Sequence, residues 1–356
     1  MKYFVLLVAW LFSLGASAQP ADLAGFIGQY AKAHDFNGSI LIQQQGKLRY
    51  AKSFGLANLP FRVPNTLQTR YKIASITKLF TSVLILQLSE QGKLDLDKTI
   101  GTYLPDYAGE AANKVSIHQL LNHTSGLPSF DGVTDQATAI SNGIAVYQTP
   151  STSDQLLTKY CSGMLAHAPG TVFNYNNADY VVLGKIIERL YGKPYEQVLE
   201  ERILRPLQMR DSGLLHQGDI IDKLADTYFY PDDRKVLSKD LPVYPENWYA
   251  AGAMYATAGD LMKFSDALFG LKLIGRTALD RMIKPGLDDY GYGLWSYAAT
   301  LKGKRHPVVK RPGSIMGAQT QLFRVLDQNI TIIILGNTGT IDSDTFVAEI
   351  AQRAVD

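Results

Sequence analysis

The chain has 356 residues, of which 46% are hydrophobic and 19% are charged, the balance of an ordinary globular protein. This composition excludes a disordered chain, a collagen-like chain and a protein with many membrane spans. The formal net charge is +2 and no long basic run is present, so the strongly basic face that nucleic-acid binding needs is not expected. A single cysteine, Cys161, excludes an intramolecular disulfide and a zinc site built from cysteines.

The N-terminus has the three parts of a signal peptide. Lys2 supplies a positive charge, residues 4–14 are apolar except for Ser13, and residues 16–18 form a cleavage site of small residues. The apolar run is too short for a membrane-spanning helix, which needs about 20 residues. We therefore expect cleavage after Ala18, a periplasmic or secreted mature protein, and no stable membrane insertion.

The N-terminal part of the mature chain combines helices with a β-hairpin. Residues 22–34 carry apolar side chains at helical spacing and predict a helix. Residues 38–43 and 48–54 flank a glycine turn and predict two paired strands. Helical spacing returns over residues 76–91, where Gly92 is a natural stop.

The middle of the chain is mainly helical, and strands return near its C-terminal end. Helical patterns cover residues 117–121, 152–160, 178–191, 195–203 and 257–269. Thr257 and Asp260 predict a capping box for the last of these helices. Strand patterns cover residues 293–297, 308–311, 320–326 and 330–335, before a closing helix at residues 344–354.

This distribution predicts an α/β (α+β) fold. Strands at both ends and helices in the middle are most simply joined as one antiparallel sheet flanked by helices, with a large all-helical insertion. We expect residues 19–92 and 290–356 to form the sheet domain, and residues 93–289 to form a mainly helical domain. The length fits two domains, or one domain with a large insertion.

Several common catalytic signatures are absent from the sequence. G-x-S-x-G, H-E-x-x-H, the P-loop motif and G-x-G-x-x-G opening a helix do not occur. His118 and His123 have no acidic neighbour, so a metal site is not expected. We predict no metal and no organic cofactor.

Ser75-Ile76-Thr77-Lys78 is the first pattern that indicates catalysis. At the start of the helix over residues 76–91, positions three apart share a face, so the Lys78 amine can approach the Ser75 hydroxyl. A serine becomes nucleophilic when a base takes its proton, and burial or nearby positive charge turns a lysine into such a base. The alternative is a helix-capping serine with a solvated lysine.

Two further segments carry groups that fit the same chemistry. Tyr175 can relay a proton if cations lower its pKa, and the Asn177 amide can hold a substrate carbonyl and a lysine together. Arg311 can clamp a carboxylate, Gly313 lets a substrate backbone approach, and the Ser314 N–H can serve an oxyanion. The alternatives are a helix cap at Asn177 and a plain turn around Gly313.

Taken together, these segments resemble the serine β-lactamase and penicillin-binding-protein-like superfamily, most closely its class C β-lactamase, D-Ala-D-Ala carboxypeptidase and esterase branch. The resemblance rests on S-x-x-K, Y-x-N and a basic residue followed by x-G, in that order. It extends over nearly all of the mature chain through residues 120–127, 169–171, 251–252, 257–261 and 290–293.

The resemblance implies a role for each matching residue. Ser75 is the acylated nucleophile, Lys78 its activating base and Tyr175 the proton relay, while Asn177 holds the substrate amide carbonyl. The backbone N–H groups of Ser75 and Ser314 form the oxyanion hole. The expected partner is a small molecule or a cell-wall peptide, and the oligomeric state stays open.

One departure from the family pattern affects the expected substrate. The third motif is usually Lys-Thr-Gly or His-x-Gly, and this chain has Arg311-Pro312-Gly313. The cation and the glycine are kept, but a threonine hydroxyl and one backbone N–H are lost. We therefore expect an exported serine hydrolase of amides, esters or β-lactams, with weak β-lactamase action. The alternatives are a non-catalytic penicillin-binding sensor and an acyltransferase.

Overall fold

The computed structural model describes residues 20–131, 136–230 and 236–356. The predicted signal peptide lies outside these residues and stays a prediction. Helices α1–α13 cover Pro20–Ala33, Thr77–Glu90, Ile100–Tyr103, Ile117–Leu121, Gln136–Asn142, Ala145–Gln148, Ser153–Tyr160, Ala178–Tyr191, Tyr195–Leu199, Tyr249–Gly252, Ala258–Phe269, Arg276–Met282 and Ser343–Ala354. Strands β1–β13 cover Gly38–Gln44, Lys47–Phe54, Leu56–Asn58, Val63–Pro64, Tyr71–Lys72, Gly213–Leu214, Tyr228–Phe229, Ser238–Lys239, Met254–Ala256, Trp295–Leu301, Lys304–Ile315, Ala318–Val325 and Ile330–Gly336.

A six-stranded antiparallel sheet is built from both ends of the chain. Its strand order is β10-β11-β12-β13-β1-β2. Gly38 in β1 pairs with Gly336 in β13, and the register runs on to Gln44 opposite Ile330. The N-terminal hairpin therefore completes a sheet whose other four strands come from the C-terminal part. The predicted fold class, an antiparallel sheet flanked by helices, is confirmed, and the domain boundaries stay a prediction.

The sheet has a hydrophobic layer on each face. Along β13, Ile332 and Ile334 belong to the core that includes side chains of α1 and α13. Ile333 and Leu335 belong to the larger core that includes α2 and α11. Because successive strand side chains point to opposite faces, a strand with helices on both sides is apolar throughout.

Helix α2 lies at the centre of the larger core and positions Ser75. Every residue from Thr77 to Leu88 is buried, which explains why apolar residues occur around its whole surface. A 3-10 turn, Ala74–Ile76, leads directly into α2. Ser75 therefore lies at the N-terminal end of a helix that the core holds on all sides.

The C-terminal strands are longer than the sequence predicted, and β11 continues through Pro312. Lys310 of β11 pairs with Trp295, the first residue of β10, so the strand beyond it pairs only with β12. A proline is tolerated on such an unpaired strand edge because no neighbouring strand needs its missing N–H. Arg311 to Ile315 therefore form a one-sided edge.

Short strands that the sequence did not predict also occur outside the large sheet. β5, β9 and β6 form a three-stranded sheet, and each strand has only two or three residues. Such short strands give no detectable periodicity. Within the described ranges, no helix has both the length and the apolar character to cross a membrane.

Candidate active site

The turn before α2 holds Ser75 in a defined place. Ala74 has φ +48°, a left-handed conformation that few residues with a Cβ adopt. Its side chain is fully buried, so packing keeps the turn in this conformation. The Ile73 N–H donates to the Met254 carbonyl at 3.0 Å and ties the turn to β9.

The three predicted catalytic side chains meet at the Ser75 hydroxyl. The Tyr175 hydroxyl donates to Ser75 Oγ at 2.8 Å, although the two residues are 100 positions apart in the chain. Lys78 Nζ donates to the same Oγ at 3.3 Å from the next turn of the helix. The nucleophile therefore lies between a phenol and an amine.

Lys78 has the surroundings of an ammonium group. Besides Ser75 Oγ, its Nζ donates to Asn177 Oδ1 at 2.7 Å and to the Ala251 carbonyl at 3.0 Å. An ammonium has three N–H donors, and these contacts use all three. Burial lowers the pKa of Lys78; Tyr175 partly opposes this effect and Arg311 adds to it.

Tyr175 has an unusually acidic phenol. Burial by itself would raise the pKa, but the positive charges of Arg311 and Lys78 outweigh it and lower the pKa of Tyr175 to about 8. A guanidinium nitrogen of Arg311 donates to the phenol oxygen, and Lys78 Nζ lies 4.8 Å from the ring centroid. At pH 7 about a tenth of a phenol with this pKa is ionised, far more than of an ordinary tyrosine, which suits a general base.

Arg311 is buried within the protein, contrary to the predicted carboxylate clamp. Its side chain is only 1% exposed. Nε donates to the Ser75 carbonyl at 2.8 Å and Nη1 donates to the Tyr290 hydroxyl at 2.9 Å, while Nη2 binds Tyr175. The planar guanidinium is thus used to join the nucleophile turn to two phenols, and its charge acts on Tyr175.

Replacing Arg311 by methionine should move the pH dependence of acylation to higher pH. The cation stabilises the phenolate of Tyr175, so its removal raises the pKa of Tyr175. The rising limb of the plot of kcat/KM against pH should therefore shift by about one pH unit. Arg311→Lys keeps the charge and should shift the limb much less. The measurement is kcat/KM from pH 6 to 10, with the ultraviolet titration of the phenol as a direct readout. An unchanged midpoint in folded Arg311→Met would contradict the assignment.

Asn177 also differs from its predicted role. Its Oδ1 accepts from Lys78, as expected, but its Nδ2 donates to both Asp131 oxygens at 3.2 and 3.1 Å and to the Tyr147 hydroxyl at 3.1 Å. An amide nitrogen has two N–H groups. Both are engaged within the protein, so the nitrogen is not free for a substrate carbonyl. Asn177 occupies the N-cap position of α8 but makes no side-chain capping bond.

Gly313 is required by contact within the protein. A Cβ built at this position would lie 2.4 Å from Thr320 Oγ1 and 2.5 Å from the Ile73 carbonyl oxygen. The absence of a side chain lets β11 press against the turn that carries Ser75. We expected the glycine to admit a substrate backbone, but its close neighbours are the turn and β12.

Substituting Gly313 by alanine should destabilise the protein and reduce activity together. The added methyl must displace backbone atoms of the nucleophile turn, and such overpacking costs about 1–3 kcal/mol. Gly218→Ala is the matched control because no atom lies within 4 Å of a Cβ there. Denaturant unfolding and kcat/KM test both effects. Equal free energies of unfolding for the two variants would show that the nucleophile turn accommodates the added methyl group without destabilisation.

A cavity of about 430 Å³ opens in front of Ser75. This volume suits a small-molecule substrate. The helical part of the chain and the β11–β12 edge both contribute to the lining, which consists of Ser75, Asp131, Ala139, Ile144, Tyr147, Tyr175, Asn177, Trp248, Ser314, Ile315, Met316, Gln319 and Gly339. Ser314 therefore lies at the cavity, and its N–H as an oxyanion donor stays a prediction.

Sequence reasoning missed part of this site. Asp131 and Tyr147 lie in segments without a recognisable motif, and only their hydrogen bonds to Asn177 connect them to the chemistry. Trp248 also lines the cavity and stacks on Tyr147 with ring centroids 3.7 Å apart. Tyr290, which the sequence connects only to the family resemblance, accepts a hydrogen bond from Arg311 Nη1.

A buried histidine–carboxylate pair supports Tyr175 from behind. His123 Nδ1 lies 2.8 Å from Asp179 Oδ2, and its ring lies 4.5 Å from the Tyr175 ring. Burial raises the pKa of Asp179 and lowers the pKa of His123, where Lys78 and Arg311 add to the lowering. Both shifts favour the neutral forms of Asp179 and His123. The pair therefore packs against Tyr175 without cancelling the positive charges of Lys78 and Arg311. Among the described residues, no group of three or more histidine, cysteine, aspartate or glutamate side chains is arranged to hold a metal ion.

Comparison with known proteins assigns the family. The family model described as Beta-lactamase matches residues 23–356. This chain belongs to the β-lactamase family. Penicillin-binding protein 4* of Bacillus subtilis is 29% identical over 322 residues, which cover 85% of this chain and 68% of that protein. The teichoic acid D-alanine hydrolase of Staphylococcus aureus is 26% identical over 275 residues, which cover 76% of this chain and 65% of that protein.

Solved structures of other proteins share the fold. A penicillin-binding protein from Bacillus halodurans superposes with a TM-score of 0.77 at 28% identity, covering 91% of this chain and 99% of that one. The D-amino acid amidase of Ochrobactrum anthropi has a TM-score of 0.77 at 24% identity, covering 93% of this chain and 97% of that one, a likeness of fold alone. The family membership makes this chain a serine hydrolase.

Proposed function

We propose that this serine hydrolase is exported and cleaves small esters or amides through an acyl-enzyme on Ser75. The observation that carries the proposal is the position of Ser75 Oγ, 2.8 Å from the Tyr175 hydroxyl and 3.3 Å from Lys78 Nζ, at a cavity of about 430 Å³. The similarity to a teichoic acid D-alanine hydrolase and to a penicillin-binding protein supports acyl chemistry on cell-wall components.

The first half of the reaction transfers the acyl group to the enzyme. The Tyr175 phenolate accepts the proton of Ser75 Oγ as that oxygen bonds to the substrate carbonyl carbon. The Ser75 and Ser314 N–H groups donate to the oxyanion that forms, the interaction expected to contribute most to the rate. When the intermediate collapses, the bond to the leaving group breaks and the leaving group takes the proton from Tyr175.

Hydrolysis of the acyl-enzyme repeats the same proton transfers. Water attacks the ester carbon while Tyr175 accepts a proton, and Ser75 recovers that proton as the acid product leaves. The proposal gives the proton-accepting role to Tyr175 rather than Lys78, because the three contacts of Lys78 use every donor of an ammonium. Lys78 and Arg311 then act as the cations that lower the pKa of Tyr175.

Covalent labelling tests the proposed acyl-enzyme. A fluorophosphonate and a penicillin are each incubated with purified mature protein, and the adduct is measured by intact mass. We expect stoichiometric addition to the wild type and none to Ser75→Ala, together with turnover of p-nitrophenyl butyrate that exceeds turnover of nitrocefin. Absence of both label and turnover would overturn the proposal, and efficient nitrocefin hydrolysis would refute the weak β-lactamase action.

Two outcomes would select the alternatives. A penicillin adduct that never hydrolyses, in a protein that turns over no ester or amide, would identify a penicillin-binding sensor, and a new ester or amide formed from an added alcohol or amine would identify an acyltransferase. Export is tested separately by the N-terminal sequence of the protein recovered outside the cytoplasm, which should begin at Gln19.

A further inference from the structure

A carboxylate lies in the wall of the Ser75 cavity. Asp131 lines this cavity together with Ser75 and Asn177. Its oxygens accept from Asn177 Nδ2 at 3.2 and 3.1 Å and from the Tyr147 hydroxyl. Both of these partners are neutral, so among the described residues no cation is hydrogen-bonded to Asp131, and the Lys78 charge acts on it only across the Asn177 amide.

The hydrogen bonds of Asn177 determine what this wall offers to a substrate. Its oxygen accepts from Lys78, and its two N–H groups are directed at Asp131 and Tyr147. The amide donor expected to hold a substrate carbonyl is therefore engaged, and a carboxylate acceptor lines the cavity beside it. An acceptor with a negative charge favours a substrate group that donates hydrogen bonds and is itself positively charged.

The side chains next to Asp131 favour the same kind of group. Tyr147 and Trp248, stacked at an angle of 6° between their rings, both line the cavity. Aromatic rings attract ammonium groups, whereas a substrate carboxylate at this wall would be repelled by Asp131. A carboxylate beside aromatic rings is thus a site for an amine rather than for an acylated amine or an acid.

We propose that Asp131 is a substrate-binding residue for an ammonium group, and that the preferred substrates are aminoacyl amides and esters with a free amine. In these molecules the ammonium lies two bonds from the carbonyl carbon that Ser75 attacks. This inference rests on the proposed acyl-enzyme at Ser75 and names its substrate class.

Matched substrates and a conservative variant test the ammonium site. D- and L-alanine p-nitroanilide are compared with isobutyryl p-nitroanilide, in which a methyl group replaces the ammonium. The wild type should prefer an alanyl substrate by about 10- to 100-fold in kcat/KM, the range expected of one hydrogen bond to a charged group. Asp131→Asn keeps an oxygen for Asn177, and should reduce kcat/KM for the alanyl substrates at least tenfold more than for isobutyryl p-nitroanilide, so that the preference is lost. Asp106→Asn, an exposed residue outside the cavity lining, is the control.

The same kinetic comparison also defines the results that would contradict the ammonium site. If Asp131 only orients Asn177, Asp131→Asn will slow both substrates by the same factor, and the inference fails. It also fails if the wild type prefers isobutyryl or N-acetylalanyl p-nitroanilide to both alanyl substrates.

A binding experiment separates this inference from the proposed function. Ser75→Ala, which cannot form an acyl-enzyme, is titrated calorimetrically with D- and L-alaninamide. We expect binding that weakens at least tenfold in Ser75→Ala/Asp131→Asn, even if no substrate is turned over. Absent binding, or equal binding by the two variants, overturns the ammonium site, whereas lost labelling of wild-type Ser75 overturns only the acyl-enzyme.

Discussion

Replacing Tyr175 by phenylalanine should reduce the rate of Ser75 acylation by about 10³-fold, within the range that general acid–base catalysis contributes. The substitution removes the oxygen that lies 2.8 Å from Ser75 Oγ and leaves the ring in place against His123. The remaining neighbour of Oγ, the Lys78 ammonium, donates a hydrogen bond and cannot accept the serine proton. The measurement is the single-turnover rate of acylation by a fluorophosphonate or an activated ester.

Tyr195→Phe provides the matched control for this prediction. Tyr195 is also a fully buried tyrosine, and its hydroxyl lies 2.7 Å from Thr81 Oγ1, away from the cavity lining. Its loss should change acylation less than about threefold, as expected for a hydroxyl that touches no reacting atom. Comparable slowing in both variants would show that the effect of Tyr175→Phe is structural.

Replacing Lys78 by methionine should reduce acylation at pH 7 by about 10²-fold, and the loss should become smaller as the pH rises. Lys78 is one of the two cations that lower the pKa of Tyr175 to about 8. Without it the phenol has a higher pKa, so less phenolate is present at pH 7. Raising the pH restores the phenolate and with it part of the rate.

The pH dependence separates the two possible roles of Lys78. If Lys78 is itself the base, as the family resemblance implies, acylation by Lys78→Met will stay low at every pH up to 10. Lys185→Met is the control, because Lys185 pairs with Asp154 and Glu188 on the surface of α8 and should leave both the rate and its pH dependence unchanged. Thermal unfolding checks that each variant is folded.

The sequence predicted the fold class from local patterns. The alternation of residues 38–43 and 48–54 around a turn, and the helical spacing of residues 178–191, identified elements whose observed bounds are nearly the same. Such patterns are visible because the apolar residues of an element recur with the period of that element. The prolines of β11 concealed its length, since whether a proline ends a strand depends on the presence of a neighbouring strand.

The sequence by itself selected the reactive groups of this protein: a serine and a lysine one helical turn apart, a tyrosine before a helix, and a basic residue near the C-terminal strands. Only the tertiary structure decided what those groups touch. Arg311 reaches the Ser75 carbonyl across 236 positions and is buried there, and Asp131 reaches Asn177 across 46 positions. Spacing along a chain determines only which side chains share a face of one element. Which groups a buried charged side chain contacts depends on how several elements pack around it.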